Sequence, residues 1–381
     1  AKEGDEGIRC AGRIVSMRKM GKLMFAHIQD VTGKIQLMLR RDGIGADNFK
    51  LAKAVLDIGD FVGVEGNMFV TRTGELTIDV TEYKFLSKAL RPLPEKWHGL
   101  TDTESIFRKR YLDLVMSDDS RRKFLAKSKL IQTIRQILLE NRFVEVETPV
   151  LQGKPSGALA RPFKTYHEAL NLDVYLRIAP ETYLKRLLVG GFTRVFEFAR
   201  CFRNEGVSAD HLQDFTMLEY YVAYWNFEDN MRFTEELFHR VMNEVIGSTK
   251  VTVNGVEIDF GGSWPRVTFK ELILKDTGID LDEFETAEGL LSEIINRGIQ
   301  LEMSREELGK LGRGNLIDVL YKKVSRPNMI QPQFLTGHPL DLSPLARSND
   351  KDPALVDRLQ LVAGGTEIVN AYSELADAVD Q

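Results

Sequence analysis

A proline-bearing stretch at residues 89–100, ALRPLPEKWHGL, most constrains what this chain can become. Pro92 and Pro94 lack a backbone donor and fix φ, so the stretch reads as an extended hinge that no helix can cross. The residue pattern changes character on either side of it. A chain of 381 residues also exceeds what one ordinary core organises. The expectation is a first domain at 1–88, a linker at 89–105 and a second domain at 106–381.

Before the hinge, short apolar runs alternate with turn signals. IRCAGRIVSM and KLMFAHIQD are followed by a Thr32-Gly33 turn and KIQLMLR; FVGVEGNMFV and ELTIDVTEYKFL come later. A helical stretch, NFKLAKAVLDIG, stands after the third run. Five strands with a helix after the third outline an OB-fold barrel, whose strand face and loops bind single-stranded nucleic acid. The net charge of −5 argues against a chain that coats nucleic acid indiscriminately. Yet Arg9, Arg13, Arg18, Lys19, Lys22, Lys34, Arg40 and Arg41 face only Asp30 between residues 9 and 41. Such a basic stretch suits oriented phosphate contact, and equally a solvated charged face. The composition, 43% hydrophobic and 28% charged, is that of a soluble globular protein. No apolar run approaches the roughly 20 residues that span a membrane, and AKEGDEG is no signal peptide. Cys10 and Cys201 make no disulfide framework, so free thiols in a reducing cytoplasm are expected.

After the hinge, residues 118–142 read as a long amphipathic helix. Phe124, Ile131, Ile134, Ile137 and Leu138 recur at helical spacing, and Asp118 or Ser120 supplies the cap. Helices and strands then alternate, with charged helical material at 282–326 expected as a peripheral insertion. Polar residues concentrate in RFVEVETPVLQ (142–152), LRIAPETYLKRLLVGGFTRVFEFARCFRNEG (176–206), DFTMLEYYVAY (214–224) and GGTEIVNAYSEL (364–375). Arg203 and Glu205 stand on one arm of a predicted hairpin. Phe215, Glu219 and Tyr221 share one face of the other, because strand side chains alternate. A guanidinium beside an acid and a ring suits a nucleotide, or else a cross-strand ion pair over a core Phe215. Glu367, Asn370, Tyr372 and Glu374 form a second polar group. Glu219 and Glu374 converging with two phenols would repel one another unless a cation sits between them. Without His or Cys, an organic ammonium is favoured over zinc, with Mg2+ second.

These motifs together resemble the class II synthetases of the lysine, aspartate and asparagine subgroup, and the lysyl-tRNA synthetases most closely. RFVEVETPVL is similar to the first class II motif, with Pro149 as its proline at a dimer interface. FEFARCFRNEG…DFTMLEYY resembles the second. RIAPETYLKRL, HGLTDTESIFRKRYLDL and NAYSELADAVDQ are lysine-type wording. The resemblance covers essentially the whole chain and implies an α+β protein: an OB-fold barrel, then a six-stranded antiparallel sheet flanked by helices. It implies a cytoplasmic homodimer, with tRNA(Lys), lysine and ATP as partners and Mg2+ as cofactor.

Carried over by position, Arg203 would hold the lysine carboxylate and the α-phosphate. Glu181 and the backbone of Gly157 would take the α-amino group. Glu219, Glu374 and Tyr221 would take the ε-ammonium, with Asn370 and Tyr372 shaping the pocket. Glu205 would read the adenine amino group, Phe215 would stack on the ring, His211 would face the ATP phosphates and Glu367 would bind the metal. In the barrel, Phe25 would stack on an anticodon base beside Arg18 and Gln36. The sequence departs from the family on the ATP side. It ends at Gln381, before the glycine-rich third motif, so an incomplete catalytic domain is expected. Gln360 replaces a metal-binding Glu, which leaves it a weak ligand. Asp210 precedes His211 where relatives place Arg, and Leu212-Gln213-Asp214 replaces Asn-Pro-Glu. The alternatives are an aspartate or asparagine enzyme, which would need a cation facing the Glu219/Glu374 pocket, and a non-catalytic tRNA- or lysine-binding protein. A lysine transferase acting on protein is a third, though such relatives lack the barrel.

Overall fold

The structure, a computed structural model, describes residues 2–94, 102–158, 160–206, 211–343 and 345–379. The hinge portion at 95–101, the start of HGLTDTESIFRKRYLDL, Asp210 and the last two residues lie outside the described residues. The chain divides into two compact units, 1–124 and 125–381.

The first unit contains a closed barrel in the order β1 (Ile8–Met20), β2 (Leu23–Gln29), β3 (Lys34–Arg40), β5 (Leu76–Ser87), β4 (Phe61–Val70), with β4 returning to β1. α1 (Ala46–Val55) follows β3, as the OB outline requires. Alternation explains why these runs are strands. Met24, Ala26 and Ile28 of β2, and Val62, Val64 and Met68 of β4, point inward, and their neighbours point out. Phe49 and Ala52 of α1 join the same core. Gly66 sits where β4 presses on β5: a Cβ there would lie 2.2 Å from the Asp79 carbonyl oxygen.

The second unit is organised by α2 (Asp118–Glu140), from Leu125 onward. The cap is Ser117 rather than Asp118 or Ser120: its Oγ accepts from the Ser120 amide at 3.1 Å. Ile137 and Leu138 are buried and Ile134 packs beside them, as the spacing predicts. Phe124 does not follow, at 49% exposed, because the packed stretch of the helix begins only at Leu130.

The catalytic-type sheet differs from the single six-stranded antiparallel sheet expected. The described strands form separate sheets. One is β6 (Val144–Glu145), β10 (Arg194–Phe202) and β11 (Asp214–Val222), with β6 parallel to β10. A small one joins β7 (Leu151–Gln152), β9 (Leu172–Leu176) and β8 (Lys164–His167). A third holds β12 (Arg266–Thr268), β13 (Gln333–Thr336), β14 (Arg358–Ala363) and β15 (Thr366–Tyr372), with β12 parallel to β13. β11 and β15 belong to separate sheets, with no described strand joining them.

Two helices tie these sheets together. α3 (Glu181–Val189) runs between β9 and β10. α4 (Phe227–Val241) opens with a capping box between Asn226 and Asp229, and its Phe227 amide donates to Ser373 Oγ at 3.0 Å. The helices of 282–326 are not peripheral. Leu290, Ile294, Leu316, Ile317 and Leu320 are fully buried in one core with Leu335 of β13 and Val362 of β14, so they back the third sheet.

Candidate active site

The β10–β11 hairpin pairs Cys201 with Phe215, Glu197 with Glu219 and Val195 with Tyr221. Facing carboxylates at Glu197 and Glu219 would repel, and the fold answers by pairing one of them. Arg177 Nη1 lies 2.6 Å from Glu197 Oε1, both side chains 4% exposed. Thr148 Oγ1 donates to Glu197 Oε2 at 2.6 Å, and Arg177 donates to the Thr148 carbonyl at 3.1 Å and the Arg200 carbonyl at 2.8 Å. This buried network locks the Thr148-Pro149 segment to the hairpin. A buried pair of this kind tolerates removal of neither partner.

Glu219 has no such partner. Burial, with the charge of Glu181 adding to it, pushes its carboxyl up to about 7, although the Tyr221 hydroxyl (3.2 Å) and Arg203 oppose the rise. Glu181 opens α3, where the helix N-terminus favours a carboxylate. Gly157 lies against it at φ +89°, and a Cβ there would come within 3.0 Å of Glu181 Cβ and 3.1 Å of Ala179 Cβ. Tyr372 at the end of β15 donates to Glu181 Oε1 at 3.1 Å. Burial and the surrounding carboxylates raise the Tyr221 and Tyr372 phenols above their ordinary value, so both stay protonated donors.

The cation demanded by these carboxylates is present in the chain itself. Lys185 Nζ lies 2.7 Å from Glu181 Oε1 and 2.9 Å from Glu374 Oε2. It stands 6.0 and 5.9 Å from the ring centroids of Tyr221 and Tyr372. Burial works against its ammonium, yet the two carboxylates hold its pKa above the ordinary value. The cation that an aspartate or asparagine enzyme would need is thus not free to meet a substrate carboxylate: Lys185 faces the pocket, but Glu181 and Glu374 claim it.

Arg203 is fixed by its amide, which donates to the Gln213 carbonyl at 2.8 Å. Its guanidinium lies over Phe215, 5.2 Å from the ring centroid, and its Nε is buried without a hydrogen-bond partner. Glu205 is exposed at the hairpin mouth, where Oε1 accepts from the Arg161 amide at 3.4 Å. His211 is exposed as well. Asn370 does not reach the ammonium cluster by a hydrogen bond: its Oδ1 accepts from Arg358 Nε at 3.0 Å. Glu367 lies on the exposed side of β15. Gln360 on β14 donates through Nε2 to Glu367 Oε2 at 2.8 Å, while its own Oε1 is buried without a partner. Glu367 and Gln360, whose amide oxygen has no partner, are the residues that would hold a Mg2+ ion, an oxygen-seeking cation. Among the described residues no group of three or more His, Cys, Asp or Glu could hold a metal alone.

On the barrel, Phe25 pairs across the strands with Arg18, and Gln36 with His27. Glu75, which sequence reading missed, joins them: Oε1 lies 2.6 Å from His27 Nε2 and Oε2 2.6 Å from Gln36 Nε2. The basic stretch is partly spent on the fold. Arg9 pairs with Glu65 and Arg40 with Asp79, Arg13 stacks on Phe61, and Lys19 caps the carbonyls of Lys53 and Leu56. Lys185 was missed too, although its i+4 spacing from Glu181 on a helix was a usable signal. Arg177, Glu197 and Glu75 gave none, since their partners lie far away in sequence.

Comparison with known proteins places these features. Residues 102–381 match the family of tRNA synthetases class II (D, K and N), and residues 8–86 match the OB-fold nucleic acid binding domain. A lysine–tRNA ligase of Aquifex aeolicus is 46% identical over 375 residues, covering 98% of this chain and 62% of that protein. The lysine–tRNA ligase of Pasteurella multocida is 48% identical over 380 residues, covering 98% of this chain and 74% of its own. That of Haemophilus influenzae is 47% identical over 386 residues, covering all of this chain and 75% of its own.

Proposed function

As the chain belongs to the class II tRNA synthetases of the D, K and N group, we propose that it is a lysine–tRNA ligase. The observation that carries this reading is the set of three carboxylates, Glu181, Glu219 and Glu374, and two protonated phenols gathered around ammonium chemistry. Glu181 and the backbone at Gly157 take the α-ammonium of lysine. Glu219, Tyr221 and Glu374 take the ε-ammonium, and Tyr372 and Asn370 bound the pocket. Arg203, whose Nε awaits an acceptor, pairs with the lysine carboxylate and the α-phosphate.

The chemistry needs no protein nucleophile. A lysine carboxylate oxygen attacks the α-phosphorus of ATP in line, the bond to the bridging oxygen breaks, and pyrophosphate leaves with the electron pair. The chain contributes positioning and charge: Arg203 neutralises the growing negative charge, and Phe215 and Glu205 hold the adenine. His211 faces the phosphates. Glu367 and Gln360 are the residues that would hold Mg2+, which would neutralise phosphate charge when bound. A terminal ribose hydroxyl of tRNA(Lys) then takes the lysyl group and AMP departs. Phe25, Arg18 and Gln36 read the anticodon on the barrel.

The exposed Val144, Val150 and Leu151 around Pro149 support a homodimer formed through that segment. No helix among the described residues is long and apolar enough to cross a membrane; we place the protein in the cytoplasm, where its tRNA partner is. Domains at 1–88 and 106–381, joined at 89–105, complete the reading.

Lysine-dependent ATP–pyrophosphate exchange tests it, with Arg203→Ala as the control. Exchange that requires lysine and disappears in the variant supports the ligase. Lysine binding without any exchange favours the non-catalytic binding protein instead.

A further inference from the structure

Lys185 stands between two of the three pocket carboxylates, Glu181 and Glu374. Its i+4 bond to Glu181 would be satisfied at the helix surface, like an ordinary exposed pair. It reaches further, to Glu374 at 2.9 Å, 189 residues on in sequence, and its ammonium stands near the faces of two phenol rings. Ordering its four rotatable bonds costs entropy, which two carboxylates held by different elements offset together.

We propose that Lys185 is a specificity-determining positioning residue that sets the net charge the pocket accepts. The count runs over groups already located. Glu219, Glu374 and Glu181 contribute three negative charges when ionised; Arg203 and Lys185 return two. Glu197 is cancelled by Arg177. The balance of one negative charge matches a ligand with two ammonium groups and one carboxylate, which is lysine. With Lys185 neutralised, the balance becomes two negative charges, matching a dication. Lys185 therefore fixes the Glu181–Glu374 geometry and prevents the pocket from preferring diamines over the amino acid. This rests on the lysine reading of the same site.

The test is calorimetric binding of lysine and of 1,5-diaminopentane, which is lysine without its carboxylate, at pH 8, where Glu219 is ionised. Wild type, Lys185→Met, Lys185→Gln and Lys185→Arg are compared, each checked for its melting transition. A unit charge a few ångströms away in a half-buried site predicts that the preference for lysine over the diamine falls by about tenfold or more in the Met and Gln variants. The Arg variant, which keeps the charge, stays near wild type. A purely structural role would weaken both ligands together and leave their ratio alone. An unchanged ratio in the Gln or Met variant, with lysine still bound by wild type, overturns the role of Lys185. Wild-type protein that binds neither ligand overturns the pocket reading itself, and the proposal with it.

Discussion

The affinity for lysine is expected to depend on pH through Glu219, and the structure supplies the size of the effect. The carboxyl is pushed up to about 7 by burial and by the Glu181 charge. An ε-ammonium pairs with the ionised form, so below pH 7 binding must first remove a proton. If pairing returns Glu219 to the ordinary carboxylate range, affinity falls about 25-fold between pH 7.5 and pH 5.5, close to 2 kcal/mol. Glu374, raised in the same direction by burial, steepens the fall. Stability without lysine runs the opposite way. A carboxyl raised in the folded state binds its proton more tightly there than in the unfolded chain, so its contribution to stability declines as pH rises from the ordinary value of 4.5 to about 7. Glu219→Gln should therefore stabilise the second unit above pH 7, by about 3 kcal/mol at most, while losing lysine affinity and flattening its pH profile. Isothermal calorimetry across the window, paired with denaturant melts of wild type and variant, measures both. A lysine affinity that changes less than about threefold over those two pH units would refute the reasoning.

Further outcomes follow from the same geometry. Arg177→Met strands Glu197 in the interior and should destabilise the second unit by about 3–5 kcal/mol in chemical denaturation. Gln360→Glu places a second carboxylate against Glu367 and should tighten Mn2+ binding by about tenfold or more, read by calorimetry with the metal alone. Phe25→Ala removes a stacking surface worth about 1–3 kcal/mol, so tRNA affinity in filter binding should fall roughly five- to 150-fold while lysine affinity holds.

Much of this architecture is written in local pattern. The barrel is legible because each strand alternates inward and outward residues, and Met24, Ala26 and Ile28 bury as that alternation requires. Phe215, Glu219 and Tyr221 share a face for the same reason, and Arg203 meets Phe215 across the hairpin. What local pattern cannot carry is who neutralises whom. Lys185 reads as one more helix-surface cation until β15 brings Glu374 to it. Arg9 and Arg40 read as phosphate ligands or as part of a solvated charged face until Glu65 and Asp79 arrive from other strands. Periodicity likewise predicted a buried Phe124, but a stripe of apolar residues does not say where along a helix the packing begins. Strand order is non-local as well: the residues of β11 and β15 mark both as strands, yet nothing in either says that they do not pair.

The central claim is that the pocket reads the ammonium at the end of the side chain. Calorimetric binding of lysine against norleucine, its isostere without that group, at pH 7.5 tests this directly. Norleucine would leave Glu219 desolvated without a cation and Glu374 with Lys185 alone, so it should bind about a thousandfold more weakly than lysine. Affinities within about tenfold of each other would contradict the account, because a pocket indifferent to the ammonium has no use for the carboxylates that the fold gathers there.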